Sequence, residues 1–410
     1  ERFNVRIGSL LGEDRALGRG YLLNVDQYPF VKRSMWSGQE KVEHLIREIE
    51  QAERIFQDHD VVLSQYPEGV QTAVCETLRI RHFHLSQAKF GNRFFWSSDG
   101  FQRSKHLENE IKTYLNSGNG IVDFDEPYEK DGIGQKLIDQ ADYSWRFVAR
   151  RVLRIIYRDT INLLLGRRKS ESYLAYGWVK PTIAKRSNYL FVKKHAVKLK
   201  ELREQEIFYF PLHVEPEVSL LRLAPEFSNT MEAIVWLSKL LPAGCTLAIK
   251  EQPNAYGVRS RLFYERLSMI HNVAFVPPGD DSWKWLAAAR AVVAFTGTVG
   301  FEAVHFERPV ISFGYHQIIN QLPSVFPVTN YHEVQRVVEC ILGTTLVKST
   351  LLRSKEALYS AQISTSFELE EFAFARKQTE VSRETLIEGA EMLHKAITMT
   401  EKSLGGNSNV

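Results

Sequence analysis

The segment "AVVAFTGTVGFEAVHFERPVISFG", residues 291–314, joins two apolar runs through a short polar turn and constrains the fold more than any other stretch. Its first run, Ala291–Phe295, is continuously apolar, as in parallel strands covered on both faces. The Thr-Gly-Thr turn at 296–298 breaks this strand, and a Thr hydroxyl can accept from the first free N–H groups of a helix. Arg308-Pro309 ends the helix before a second apolar run. The segment therefore predicts a strand–turn–helix–strand unit.

The turn formed by Thr296, Gly297 and Thr298 has two interpretations. At the carboxyl edge of a parallel sheet, the unpaired N–H groups and positive dipole end of a helix form a site for an anion, most often a phosphate. The same residues are also typical of an ordinary capped turn between a strand and a helix. Both interpretations stay open at this point.

The remaining strand and helix patterns predict an α/β chain. A length of 410 residues suggests two domains, and 44% hydrophobic with 25% charged residues indicates a globular protein. In the second half, short apolar runs at 207–210, 245–250 and 273–276 alternate with helical segments, which specifies a doubly wound parallel sheet. In the first half, a helix over Ser37–Gln57 precedes a strand–helix–strand unit at 60–85, which implies a right-handed parallel crossover.

Charge and cysteine content exclude several classes of protein. A formal net charge of +3 gives no support for nucleic-acid binding. The three cysteines, Cys75, Cys245 and Cys340, are widely spaced and predict neither a disulfide framework nor a zinc site, which fits a reducing cytoplasm. No His, Cys, Asp and Glu cluster has metal-ligand spacing, so we predict a metal-independent protein, with His305 and His316 structural. No apolar run approaches the ~20 residues of a membrane span.

Residues 144–170 form a basic amphipathic segment. Apolar residues recur every three to four positions, and the polar face carries five arginines at 146, 150, 151, 154 and 158. Such a helix can lie on an anionic bilayer surface. Equally, its apolar stripe can be buried in the protein with the arginines in water. The lysine-rich stretch Lys180–Lys200 is predicted to connect the two halves.

Three loops of the second half follow predicted strands, where ligands of open parallel sheets bind. They are "PLHVEPEVS" at 211–219, "KEQPNAYG" at 250–257 and "TGTVGFEA" at 296–303. Lys250 and the threonines suit phosphate groups, and Glu302 can accept from ribose hydroxyls. Lys250 can instead pair with Glu251 or another carboxylate at the surface, where such a pair contributes little.

These loops and the strands around them resemble a known family. The segments "KEQP", "NVAFVP", "AVVAFTGTVGFEA" and "RPVISFG" occur in the order found in the nucleotide-binding half of GT-B glycosyltransferases of bacterial capsule and surface-polysaccharide biosynthesis. Within that group, the chain resembles the retaining Kdo (3-deoxy-manno-octulosonic acid) transferases of capsule, lipopolysaccharide and O-antigen assembly. The resemblance covers residues 205–345.

The resemblance implies a fold of two Rossmann-type doubly wound domains that face a cleft. Residues 1–200 would form an N-terminal, acceptor-side α/β domain with a helical insertion. Residues 205–345 would form the domain that binds the nucleotide sugar. Residues 346–410 would form C-terminal helices that pack back across both domains.

The resemblance also implies donor-binding residues. In that family the Thr-Gly-Thr turn and the Glu that follows it hold the donor phosphate and ribose, which points to Thr296, Gly297, Thr298 and Glu302. A His-Pro pair of the family is replaced here by Gln252-Pro253. Gln can donate a hydrogen bond to phosphate but carries no charge, so this departure weakens the implication of a CMP-linked donor.

The implied catalytic residues depart from the family pattern as well. Kdo transferases carry Gln-x-x-x-Asp-x-Ser, whose Asp is the expected nucleophile, and this chain has His213, Glu217 and Ser219 at those positions. Glu217 is a competent carboxylate nucleophile that is one methylene longer, and His213 would orient it or contact the donor. Alternatively, both residues cap the following helix, where a carboxylate is favoured by the dipole.

A general acid or base is expected from the first half. Glu68 follows the strand at 60–64 and is the first candidate. Glu13 and Asp14 are rivals, and Lys32-Arg33 can meet an anionic acceptor or donor.

The function implied by the resemblance is transfer of a sugar to a growing bacterial surface glycan. The donor would be a nucleotide sugar, CMP-Kdo or a related acidic sugar, with no separate cofactor. The acceptor would be a glycan or glycolipid, and the protein would be cytoplasmic, with peripheral contact at the cytoplasmic face of the inner membrane. A nucleotide-sugar epimerase of the same architecture and a non-catalytic sugar-nucleotide-binding module remain alternatives.

Overall fold

The computed structural model describes most of the chain. The described residues are 37–64, 69–99, 101, 103–117, 143–165, 179–215, 220, 223–224, 227, 229–253, 255–343, 347–369 and 382–405. Several candidate residues of the sequence lie outside this part of the chain, namely Glu13, Asp14, Lys32, Arg33, Glu68, Glu217 and Ser219.

The second half contains a six-stranded parallel sheet. Its strands are β4 (Glu206–Pro211), β5 (Cys245–Lys250), β6 (Val273–Phe275), β7 (Ala291–Ala294), β8 (Val310–Ser312) and β9 (Val325–Pro327). They lie in the order β6-β5-β4-β7-β8-β9. Counted from its first strand this is 3-2-1-4-5-6, the order of a Rossmann sheet, in which the connections reverse direction between the two central strands. The predicted doubly wound sheet is confirmed for this half.

Helices connect these strands on both faces of the sheet. The earlier helices are α1 (Gly38–Phe56), α2 (Gly69–Leu78), α3 (Lys105–Ser117), α4 (Trp145–Leu164) and α5 (Val179–His195). Those of the second sheet are α6 (Thr230–Leu240), α7 (Arg261–Ser268), α8 (Ser282–Ala288), α9 (Thr298–His305) and α10 (Tyr331–Leu342). Side chains at Asn229, Ser260, Asp281 and Asn330 cap α6, α7, α8 and α10. Each cap satisfies an otherwise free N–H group and sets where its helix begins.

Alternate residues of β4 enter two hydrophobic clusters, one on each face of the sheet. Phe208 and Phe210 pack with α6, α7 and α10, whereas Ile207 and Tyr209 pack with α8 and α9. Both faces of the central strand are therefore covered, which is why it is apolar without alternation. The second cluster also contains Phe95 and several residues of α3, so this core continues into the first half of the chain.

The described part of the first sheet is mixed. Its strands are β1 (Val61–Ser64), β2 (Arg81–Gln87), β3 (Arg93–Ser97) and β10 (Phe367–Glu368), in that order. β1 and β2 are parallel, as the strand–helix–strand pattern predicts, with α2 as the crossover. β3 is antiparallel to both β2 and β10. The predicted α/β class is confirmed, but these antiparallel pairs depart from a doubly wound sheet because β2 and β3 are joined by a short loop rather than a helix.

Helix α5 occupies the stretch predicted as a connection between the two halves. It is helical over Val179–His195 and packs against residues 255–257, α7 and β6. The amide of Asn188 donates to the carbonyls of Tyr256 and Arg259 at 2.8 and 3.0 Å. This lysine-rich segment therefore lies on the second sheet. The boundaries proposed for the domains stay a prediction.

The last described helices pack across both sheets. They are α11 (Lys348–Thr365), which contacts α3 and α9, and α12 (Arg383–Gly405), which contacts α3, β3 and β10. Gln362 of α11 accepts from His305 of α9 at 3.0 Å and donates to the carbonyl of Ala88, beyond β2. Helix α11 therefore links the first sheet to the second.

None of the helices in the described part of the chain combines the length and the apolar character that a membrane span requires.

Candidate functional site

The candidate site lies where the connections of the second sheet reverse direction, between β4 and β7. Phe208 and Tyr209 pair with Ala291 and Val292, so the two strands run side by side. In sheets of this order, ligands bind in the crevice outside the carboxyl ends of these two strands. The residues that follow them are Leu212 and His213 after β4, and Phe295 to Thr298 after β7.

The imidazole of His213 lies against the turn at Gly297. The backbone N–H of Thr296 donates to Nε2 of His213 at 3.4 Å. A Cβ atom at position 297 would lie 2.8 Å from Cε1 of this ring, a distance that real Cβ atoms do not show. The small residue between the two threonines is therefore explained by the ring that packs there. The structure thus brings together His213 and the Thr-Gly-Thr turn, which belong to two of the three loops that the sequence places after parallel strands.

Helix α9 begins at this turn without a side-chain cap. Its N-cap residue is Gly297, which makes no side-chain cap hydrogen bond. The prediction that a Thr hydroxyl caps the helix is wrong, because the residue at the N-cap has no side chain. The first N–H groups of a helix have no acceptor within the helix, so they can bind an anion.

The hydroxyl of Thr296 adds a polar group to the crevice. Thr296 is 7% exposed, and its Oγ1 has no hydrogen-bond partner among the described residues. A buried hydroxyl without a partner costs free energy, so a ligand atom that reached it would recover that cost. Thr298, at the first turn of α9, is half-buried.

Glu302, also on α9, lies close to the phenol of Tyr209. Burial raises the pKa of Tyr209, and the negative charges of Glu302 and Asp281 raise it further. Glu302 is half-buried, one turn into the helix. This is the position that a residue accepting from a ligand bound at the start of α9 would take, and that role stays a prediction.

Lys250 ends β5, next to Pro211 of β4. It is 7% exposed, and its Nζ donates to the hydroxyl of Ser282 at 2.6 Å and to the carbonyl of Asp280. The alternative of a surface pair between Lys250 and Glu251 is wrong, because both residues are buried. The lysine instead fixes the segment that begins α8, and its role toward a donor stays a prediction.

A buried ionic network around Arg259 holds the loops after β4 and β5. The guanidinium lies 2.9 Å from Glu215 and 2.8 Å from Glu251, and it donates to the carbonyl of His213. Glu251 accepts from the Tyr264 hydroxyl at 2.9 Å. Burial raises the pKa of Glu251, and the attraction of Arg259 opposes this shift. The network therefore fixes the backbone that carries His213.

Sequence reasoning missed this network. Its members lie far apart along the chain, and Arg259 comes two residues after the segment "KEQPNAYG" at 250–257. A charged pair directly after an apolar strand, Lys250-Glu251, was the available signal. The exposed Gln252 and the half-buried Pro253 follow that pair, and the N–H of Gln252 donates to Oε1 of Glu251 at 2.9 Å. Their predicted contact with a donor phosphate stays a prediction.

His305 and His316 were predicted to be structural. His305 is buried and bonded to Gln362, and burial lowers its pKa to about 4, so it is neutral at pH 7. The ring of His316 stacks on Phe101, with the centroids 3.9 Å apart. In the part of the chain that the structure describes, no group of three or more His, Cys, Asp or Glu side chains is placed to hold a metal ion.

A model of the capsule polysaccharide biosynthesis protein family matches residues 97–317, more than half of the chain. This confirms the resemblance predicted for the second half and extends it toward the N-terminus. A sequence comparison with curated proteins finds no match.

Similar solved structures include two kinds of enzyme. A Thermosulfurimonas dismutans KpsC, a beta Kdo 2,7 transferase, is 12% identical with a TM-score of 0.36, covering 78% of this chain and 88% of that chain. A Methanocaldococcus jannaschii UDP-GlcNAc 2-epimerase is 12% identical with a TM-score of 0.32, covering 79% and 81%. The Neisseria meningitidis UDP-GlcNAc 2-epimerase is 11% identical with a TM-score of 0.28, covering 80% and 81%.

Proposed function

The chain belongs to the capsule polysaccharide biosynthesis family, and from that membership we propose that it is a glycosyltransferase of GT-B type. It moves a sugar from a nucleotide-activated donor to a growing bacterial surface glycan. It works at the cytoplasmic face of the inner membrane. The donor is CMP-Kdo or a related acidic sugar, and the reaction needs no metal ion.

One observation carries this proposal. The N-terminus of α9 begins at an uncapped glycine beside His213, and the buried hydroxyl of Thr296 has no hydrogen-bond partner among the described residues. Free N–H groups and an unused hydroxyl together suit a phosphate oxygen. This chemistry supports a nucleotide phosphate at the crevice, which is the leaving group of glycosyl transfer.

The roles of the residues follow from charge development during the reaction. As the sugar–phosphate bond breaks, negative charge grows on the phosphate, and the α9 dipole with its N–H groups stabilises that charge. Thr296 and Thr298 donate to the phosphate, and Glu302 accepts from the ribose. Glu217 acts as the carboxylate at the anomeric carbon, His213 positions donor groups, and Glu68 exchanges a proton with the acceptor.

Nucleotide binding tests the crevice. We expect one nucleotide of a panel of CMP, UDP, GDP and ADP to raise the melting temperature. Thr296→Val should weaken its binding by about 10- to 100-fold, the effect of losing one hydrogen bond to a charged group. The unliganded variant should be at least as stable as the parent, because an unpartnered buried hydroxyl is replaced by a methyl group.

Thr113→Val is the matched control, because Thr113 lies exposed on α3 and its hydroxyl bonds only within that helix. It should leave nucleotide affinity unchanged in calorimetric titration. Unchanged affinity in Thr296→Val would refute the phosphate site at the turn.

Turnover tests the enzyme class. Glu217→Gln keeps the size of the side chain and removes its charge, so sugar transfer to a synthetic acceptor glycan should fall strongly while nucleotide affinity is retained. Conversion of the donor sugar without any acceptor would identify an epimerase instead. Normal transfer by Glu217→Gln would exclude the catalytic role of this residue.

A further inference from the structure

Helix α4 presents three different faces. Its inner face carries Val148 and Ile155, which are 4% and 9% exposed, and it packs against α5. The spacing of seven residues places these two side chains on one side of the helix. The apolar stripe seen in the sequence is therefore only partly used for packing.

A second face of α4 is apolar and exposed to solvent. Leu153, Tyr157 and Leu164 are 66%, 70% and 78% exposed, and Trp145 and Ile156 are 60% and 48% exposed. At 100° per residue, these side chains lie on one sector of the helix, beside the buried face. A cluster of large apolar side chains on a protein surface marks an interaction site.

The third face is a stripe of arginines that begins within that apolar sector at Arg146 and continues beside it. Arg146, Arg150, Arg154 and Arg158 are spaced by four residues, and all four are exposed. Asp159 is the one acidic residue of α4, with a side chain 11% exposed and 3.9 Å from Arg158. The neighbouring α5 carries five lysines and arginines and no acidic residue. The surface is therefore strongly positive.

We propose that the outer surface of α4, with the adjacent basic residues of α5, binds an anionic lipid bilayer. The guanidinium groups contact lipid phosphates, and Leu153, Ile156, Tyr157 and Leu164 enter the boundary between headgroups and acyl chains. Arginines alone would fit any polyanion, including nucleic acid or an acidic glycan. The exposed apolar sector favours a lipid bilayer, because neither of those polyanions offers an apolar layer that would cover Leu164, which is 78% exposed.

This surface lies outside the crevice between β4 and β7. The proposal goes beyond the transferase activity by assigning the membrane contact to a defined surface, and it does not depend on the identity of the donor. A chain that bound vesicles without transferring sugar would support this inference and count against the proposed function. The two can therefore fail separately.

Flotation of the full chain with vesicles tests the proposal. We expect the parent to float with phosphatidylcholine vesicles containing 30% phosphatidylglycerol and to stay behind with pure phosphatidylcholine. Replacing Arg146, Arg150 and Arg154 with Gln should lower the vesicle partition coefficient about a hundredfold, since each basic residue near an anionic surface contributes about a factor of five.

Two further variants make the test specific. Leu153→Ser with Tyr157→Ser keeps all the arginines and should also lose most binding, because it removes the apolar contact. The matched control for net charge replaces three exposed arginines outside this surface, Arg47, Arg203 and Arg336, by Gln. That variant should float like the parent.

Circular dichroism and a melting temperature like that of the parent show that each variant is folded. Failure of the parent to float with anionic vesicles would overturn the proposal. Parent-like flotation of the Leu153 and Tyr157 double variant would overturn it as well, since binding would then be purely electrostatic and a polyanion would be the better partner.

Discussion

Removing the charge of Arg259 should destabilise the protein more than removing any exposed arginine. The side chains of Arg259 and Glu251 are 3% and 1% exposed, and that of Glu215 is 12% exposed. Arg259→Met keeps most of the apolar stem but leaves the buried carboxylate of Glu251 and the half-buried carboxylate of Glu215 without their cation. Breaking a buried ion pair by deleting one partner costs about 3–5 kcal/mol, because the remaining charge stays desolvated.

The loss of stability should depend on pH in a defined direction. Burial already raises the pKa of Glu251 above 4.5, and loss of the Arg259 charge raises it further. A carboxyl group with a raised pKa holds its proton in the folded state at pH values where the unfolded chain has released it. The free energy of unfolding therefore falls as pH rises above 4.5. The difference in this free energy between the parent and Arg259→Met should be largest near pH 8 and shrink toward pH 5.

Urea unfolding followed by tryptophan fluorescence measures this effect. With a denaturant slope of about 3 kcal/mol/M, the midpoint at pH 8 should fall by about 1–2 M. Arg261→Met is the matched control, because its side chain is 42% exposed and pairs with Glu265 within the same helix. Such a pair contributes about 0.3–0.5 kcal/mol. Equal midpoints for the two variants, or a deficit that grows toward acid pH, would refute the reasoning.

Two further predictions concern the core. Burial lowers the pKa of His305 from 6.5 to about 4, so the free energy of unfolding should fall by up to about 3 kcal/mol as the pH falls between these values. In urea titrations, His305→Phe should flatten this pH dependence, whereas His332→Phe, at an exposed position, should leave it unchanged. Gly314→Ala should prevent stable folding, since its Cβ would lie 1.9 Å from the carbonyl oxygen of Phe295. The control Gly38→Ala, whose Cβ would have no atom within 4 Å, should leave the melting temperature unchanged or higher. Normal stability of Gly314→Ala would contradict the close approach.

Most of the second sheet could be predicted from local sequence signals. Its strands are continuous apolar runs, because both faces of the sheet are covered, and Asn229, Ser260 and Asn330 cap helices by contacts within three residues. Such signals lie within a few residues of the element they define. The strand–helix–strand unit of the first sheet could be predicted from the sequence for the same reason.

Features that depend on distant parts of the chain could not be read this way. β10 is two residues long and exists because Phe367 pairs with Phe94. The network of Arg259 unites the loops after β4 and β5 with Tyr264 of α7, and none of its members is marked locally as buried. The missing side-chain cap of α9 is of the same kind: the N-cap is Gly297, against which the distant His213 packs, so the predicted Thr cap was locally reasonable but wrong.

The order of strands in the second sheet has a consequence for how the chain is made. β4 lies at the centre of that sheet, yet its partner β7 is synthesised more than eighty residues later, with Phe208 paired to Ala291. A nascent chain that ends before β7 can pair β4 with β5 and β6 but leaves the other edge of β4 open. Open apolar edges of this kind favour aggregation, and contacts so distant in sequence slow folding. The crevice therefore cannot form until β7 and the turn at 296–298 have been synthesised, and one edge of β4 stays open until then.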